Sequence, residues 1–225
     1  MCKKNLSSQE IFDLLQSEIS NKDVGKIVFK YLDLTVDIDD KNSVGYILQS
    51  WLKKWLDARG IMNEVNDNSQ IPPDFYIGKT KQHLELKTFD MEASANFDVA
   101  NFEAYCDIIV KQPDHLYADY LIIGYTLTKG ELRIQKMWIK KVWEITCGSA
   151  EYPIKTQNKR GMIYNIRPAT WDSDRARYCT FPNEQDFVNA LYRTLLKYPK
   201  TTTTAKKWLS DVKSSYKKFF KKDLF

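Results

Sequence analysis

A chain of 225 residues, 43% hydrophobic and 28% charged, is long enough for one substantial core or at most two small domains, and has the balance of a folded, water-soluble protein. No apolar run approaches the roughly 20 residues that span a bilayer, and the opening MCKKNLSSQEIF lacks the features of a secretory signal, so a cytoplasmic location with no membrane partner is expected. The net charge of +5 is uneven: residues 197–225 hold nine lysines against Asp211 and Asp223, a local +7 that leaves −2 for the rest of the chain.

Residues 8–19 (SQEIFDLLQSEI) put Ile11, Leu14, Leu15 and Ile19 on one face and predict a helix. A stronger one is predicted over 42–59, where Val44, Ile47, Leu48, Trp51, Leu52, Trp55 and Leu56 recur at helical spacing. Asn42 or Ser43 can cap its start, and Gly60 follows its end. The period then changes: Asp74–Ile77 and Gln82–Thr88 predict two strands joined by a turn at Gly78–Lys81. Helical spacing returns over 97–111. The mostly apolar YADYLIIGYTL, within 115–128, predicts an inner strand. A Lys129–Gly130 turn leads to a partner strand in LRIQKMWI, and KKVWEIT predicts a short helix. Strands and loops are expected over 152–168, then helices at 183–196 and 205–222. Trp208, Leu209, Val212, Tyr216 and Phe219 form the apolar stripe of the last helix, and its lysines are either a solvated face or a footprint for a polyanion. The order of elements gives one mixed α/β domain, a central sheet flanked by helices, over the whole chain.

The segment IPPDFYIGKTKQHLELKT, residues 71–88, puts charge into an apolar frame. Alternate strand residues share a face, so Glu85 and Lys87 project together while Leu84 and Leu86 point to the core. Pro72 and Pro73 stiffen the approach to Asp74, and a hairpin return would set Asp74 beside Glu85. The three charges are either a solvated hairpin edge or a site. As a site, two carboxylates on a rigid sheet suit Mg²⁺, which takes one or two carboxylates and keeps waters and phosphate oxygens as its other ligands. Such an ion activates water and polarises a phosphoryl oxygen, and a lysine on the same face can orient that water and offset developing charge.

Pro73-Asp74 … Glu85-Leu86-Lys87 resembles the PD…(D/E)xK signature of a large nuclease superfamily. The helix at 42–59, NFDVANFEAYC, YADYLIIGYTL, KKVWEI and KRGMIYNIRPATW extend the likeness over roughly residues 40–172. These stretches are similar to type II restriction endonucleases, most of all the NgoBV-like group. The resemblance implies a restriction-endonuclease-like α/β fold with its catalytic core over about 40–140. It also implies Mg²⁺-dependent hydrolysis, with Mn²⁺ able to substitute, at a specific palindromic double-stranded DNA site of GGNNCC type. It makes Asp74 and Glu85 metal ligands and Lys87 the catalytic lysine. A homodimer and a companion DNA methyltransferase that protects the host's own sites follow from the same resemblance. Where many superfamily members carry a glutamate on the preceding helix, this chain has Gln49, a weaker uncharged ligand, which leaves the number of metal ions per site open.

Other nuclease chemistries fit poorly. His83 and His115 are too few for a histidine-rich centre, although His83 shares the face of Glu85 and is a possible accessory residue. Cys2, Cys106, Cys147 and Cys179 are scattered, give no zinc pattern and read as reduced thiols. Eight glycines include no phosphate-binding loop. The segment KTQNKRGMIYNIR, by contrast, carries side-chain types that read base edges and hold phosphates. Lys155, Gln157, Asn158, Lys159, Arg160, Asn165 and Arg167 are therefore candidate DNA-binding residues, with Arg160 and Arg167 first for base contact. Two rival readings are a structure-specific repair or recombination nuclease of the same superfamily and a DNA-binding module without catalysis.

Overall fold

The computed structural model describes residues 3–66, 72–173 and 176–225. Helix α1 (Ser8–Glu18) opens on a reciprocal cap: the Ser7 side chain accepts from the Glu10 N–H, and the Glu10 carboxylate accepts from the Ser7 N–H. Three short strands follow, β1 (Gly25–Lys26), β2 (Val28–Tyr31) and β3 (Leu34–Asp37), and then helix α2 (Val44–Ala58). Next come β4 (Asn63–Val65), β5 (Phe75–Ile77), β6 (Gln82–Asp90), β7 (Ala100–Asn101) and helix α3 (Phe102–Lys111). A 3₁₀ turn at Pro113–Tyr117 leads into β8 (Asp119–Thr128) and β9 (Glu131–Lys141), and a second one spans Val142–Ile145. The chain then forms β10 (Thr156–Lys159), β11 (Met162–Ile166), α4 (Glu184–Lys197) and α5 (Ala205–Phe220). The expected α/β class is the observed one.

The described residues fall into two compact units. The first takes in residues 3–66, 73–95 and 119–140 and holds a six-stranded mixed sheet in the order β1-β9-β8-β6-β5-β4. Strand β6 pairs antiparallel with β5 on one side and parallel with β8 on the other. Nearly all of β8 is buried, as its apolar run predicts. It turns into β9 through Lys129–Gly130, with φ of 50° and 73° at the two positions, the backbone of a tight hairpin turn. Val44, Leu48, Leu52, Trp55 and Leu56 are the buried stripe of α2 and share one core cluster with Phe75, Ile77, Leu84 and Leu86. Gly60 ends that helix in the left-handed region at φ 65°. Ile61 N–H then donates to Leu56 O and Gly60 N–H to Asp57 O, which satisfies two terminal carbonyls.

The second unit takes in residues 96–118 and 141–225, with β7, β10 and β11 as a three-stranded antiparallel sheet in the order β10-β11-β7. Helix α3 starts at Phe102 and not at residue 97, because Asn101 caps it: its side chain accepts from Ala104 N–H at 3.0 Å. Residues 100–101 pair instead with β11. In α5, Val212 and Tyr216 are buried but Phe219 is exposed. Phe220 takes the inward place, with its ring 4.6 Å from that of Tyr216 and 5.0 Å from that of Tyr117. Among the described residues no helix is long and apolar enough to cross a membrane.

Candidate active site

The pairing of β5 with β6 sets Tyr76 against His83 and Phe75 against Leu84. Extending that register by one residue puts Asp74 opposite Glu85. Pro73 and Asp74 are held in place by Asn66, whose side-chain amide donates to Pro73 O and whose backbone N–H donates to Asp74 O, both at 3.0 Å. Across the hairpin, Leu86 N–H donates to Asp74 Oδ2 at 2.8 Å. From α2, Gln49 Nε2 donates to Asp74 Oδ1 at 2.7 Å. Both carboxylate oxygens of Asp74 are thus engaged, one by the sheet and one by the helix.

Glu85 and Lys87 project from the same face of β6, as alternation requires. Lys87 Nζ lies 2.8 Å from Glu85 Oε1, and the two side chains are only 19% and 8% exposed. The other oxygen, Glu85 Oε2, is buried and has no hydrogen-bond partner. Leaving a buried anionic oxygen unmatched is costly. Burial, and the Glu85 charge beside it, push the Asp74 carboxyl up to about 7, against the opposing pull of the Leu86 N–H and Lys87. Glu85 is thus buried and Asp74 half-buried, and the Lys87 ammonium pairs with Glu85. His83 is also buried on this face, with its ring edge-on to Tyr76 at 5.3 Å.

The sequence pattern of the NgoBV restriction endonuclease family matches residues 5–225. The chain belongs to that family. It is 37% identical to the type II restriction enzyme NlaIV of Neisseria lactamica, in an alignment covering 97% of this chain and 93% of that protein. It is 36% identical to the type II restriction enzyme NgoBV of Neisseria gonorrhoeae over 69% of this chain and 91% of the relative. The solved NlaIV restriction endonuclease superposes with a TM-score of 0.92 at 36% identity, over 98% of this chain and 92% of that structure. The enzyme class is that of the type II restriction enzymes.

Among the described residues no cluster of three or more His, Cys, Asp and Glu side chains could hold a metal ion. The hairpin offers a pair instead, which fits a hard cation that completes its shell with water and substrate oxygens. The orphaned Glu85 Oε2, with Asp74 opposite it in the extended register, is a donor set that fits such a cation.

The candidate DNA-binding residues form the β10–β11 hairpin, with a bulge between Gln157 and Asn158. The structure sorts them into two groups. Lys159 and Arg160 stand exposed at the tip, where Arg160 and Gly161 have φ of 53° and 76°, a tight-turn backbone. Lys159 Nζ lies 5.7 Å from the centre of the Tyr164 ring, and the others, away from the tip, are hydrogen-bonded or ion-paired within the unit. Asn165 Nδ2 donates to Gln157 Oε1 at 3.1 Å, Thr156 Oγ1 donates to Asn158 Oδ1 at 2.9 Å, and Lys155 Nζ donates to Pro168 O at 2.8 Å. Arg167 pairs with Asp98 and also donates to the backbone and side-chain oxygens of Asn96. Asn66, Asn96 and Asp98 are the residues that sequence reasoning missed. Their partners are fixed only by the fold, and no local pattern marks them.

Proposed function

We propose that the chain is a Mg²⁺-dependent endonuclease that cuts both strands of a specific palindromic DNA site and works as a homodimer. The carrying observation is Glu85 Oε2, a buried carboxylate oxygen without a partner beside a second carboxylate. Asp74 and Glu85 hold the metal. Held there, such an ion would supply Lewis-acid activation of a water and of the phosphoryl oxygen. Lys87, whose ammonium lies 2.8 Å from Glu85 Oε1, orients the attacking water and offsets charge growing on the phosphate. Gln49 does not replace a missing carboxylate in this reading: its amide nitrogen faces Asp74, so it fixes the aspartate's orientation.

The tip of the β10–β11 hairpin meets DNA through Lys159 and Arg160, while Arg167, braced by Asp98, keeps the strand in position. A palindrome is matched most simply by a two-fold dimer with one site per strand. The relatives named as type II restriction enzymes support this reading. A companion methyltransferase protecting the host's own copies of the same sequence follows from it, as does action on unprotected DNA in the cytoplasm. The two units serve one nuclease domain, the first carrying the chemistry and the second the reading hairpin.

The test is a digest of long unmethylated duplex DNA with Mg²⁺, run beside Glu85→Ala and an EDTA control. Discrete fragments that vanish in both controls, with the variant slower by at least about 10²–10³-fold, are expected. A random smear would favour a nuclease without a fixed target. Intact DNA at every protein concentration, with a shifted band on a native gel, would leave only a DNA-binding module.

A further inference from the structure

The hairpin β2–β3 carries an apolar face that nothing in its unit covers. Its register pairs Phe29 with Val36 and Tyr31 with Leu34, so these four side chains share one face, while Val28, Lys30, Thr35 and Asp37 share the other. Every residue of both strands is exposed. Phe29 is 58% exposed, Tyr31 66%, Leu34 69% and Val36 53%, and Leu32 at the tip is 78% exposed. The Phe29 and Tyr31 rings stack with centroids 6.3 Å apart. A sheet normally buries such a face against a core.

The hairpin is firmly rooted. Ile27 N–H donates to Gly130 O at 2.8 Å, Ile38 N–H to Ile27 O at 3.0 Å and Gly130 N–H to Asp39 Oδ1 at 2.5 Å. Lys26 and Asp37 form an ion pair at 3.1 Å. The tip is strained as well: Leu32 has φ 53°, a region where asparagine and glycine are at ease and leucine is not. That turn holds the leucine side chain out at the tip, continuous with the apolar face.

We propose that this face is the seat of a two-fold contact with the same hairpin of a second copy, an inference that rests on the homodimer reading above. Charge argues for that occupant over DNA. Lys26 and Lys30 balance Asp33 and Asp37, so the hairpin offers no net attraction to a polyanion. A two-fold axis makes a patch meet itself, which suits a face that is apolar, with charges of both signs along its margin. Size agrees too. The exposed parts of Phe29, Tyr31, Leu32, Leu34 and Val36 come to on the order of 500 Å² per copy, so burying two copies approaches the ~1,000 Å² that marks a specific interface.

The experiment is sedimentation of the full-length chain without DNA, wild type beside the double variant Tyr31→Ser, Leu34→Ser, with circular dichroism and thermal unfolding as checks on folding. The wild type should sediment as a dimer, and the double variant should raise the dissociation constant at least about 30-fold. Should the double variant unfold, Leu34→Lys alone carries the same test. A variant dimer within threefold of wild type would overturn the hairpin contact and leave the homodimer reading standing. The same holds for a variant that stays dimeric and loses only DNA affinity, which would make the hairpin a DNA contact. A wild type that remains monomeric, free and on its cleaved DNA, would remove both.

Discussion

At the scale of single residues, the site is a problem in unmatched charge. Two carboxylates face one ammonium, and the Asp74 carboxyl is held at about 7 by burial and by Glu85. A carboxyl whose folded pKa lies above its unfolded value binds its proton more tightly in the folded state. Its favourable contribution is therefore present below pH 4 and is lost as pH rises to about 7. Added Mg²⁺ should accordingly raise the unfolding temperature more at pH 8 than at pH 5, a difference that scanning fluorimetry reads directly. Gln49→Ala removes the donor to Asp74 Oδ1 and should raise the Mg²⁺ concentration for half-maximal cleavage by about 10–100-fold. The meeting of Asp74, Glu85 and Lys87 was legible because strand alternation and a hairpin return are both local rules. The brace from Asn66, and the amide nitrogen Gln49 turns toward Asp74, were not, since both depend on how distant segments pack.

At the scale of elements, what could be read depended on length and end signals. The stripe of α2 spans four turns, and Gly60 after it marks the helix end through a left-handed backbone that other residues resist. The strands β1 to β4 are two to four residues long, too short for a period of two to stand out from chance. The start of α3 was misplaced because an asparagine cap outweighed the apolar spacing before it. Gly130 shows how one element is held by another. It has φ 73°, and a Cβ there would lie 2.9 Å from that of Asp37. Gly130→Ala should cost about 1–3 kcal/mol in urea unfolding and loosen the β2–β3 hairpin at its root.

At the scale of the whole molecule, the charge map was visible in the sequence and its use was not. Lys206, Lys207, Lys213, Lys217, Lys218, Lys221 and Lys222 are all exposed. Two of them are neutralised by pairs, Lys207 with Asp211 and Lys217 with Asp223. As a phosphate-facing surface, this helix should weaken binding equally on any sequence when altered. Lys206→Glu with Lys218→Glu should lower affinity for cognate and unrelated duplexes alike and flatten the salt dependence by about one unit of slope per lost contact, as binding curves at several salt concentrations would show. Phe219 and Phe220 mark where periodicity runs out. An ideal stripe favours Phe219, but the aromatic cluster around Tyr117 draws in Phe220.

The bond from the Leu86 amide to Asp74 Oδ2 gives the site an internal spectroscopic reporter. That amide's proton and nitrogen resonances should follow the aspartate's titration and shift again as Mg²⁺ is added. A two-dimensional NMR spectrum would then track the ion's arrival in a Lys87→Ala chain, where cleavage should be lost, separating loading of the site from turnover.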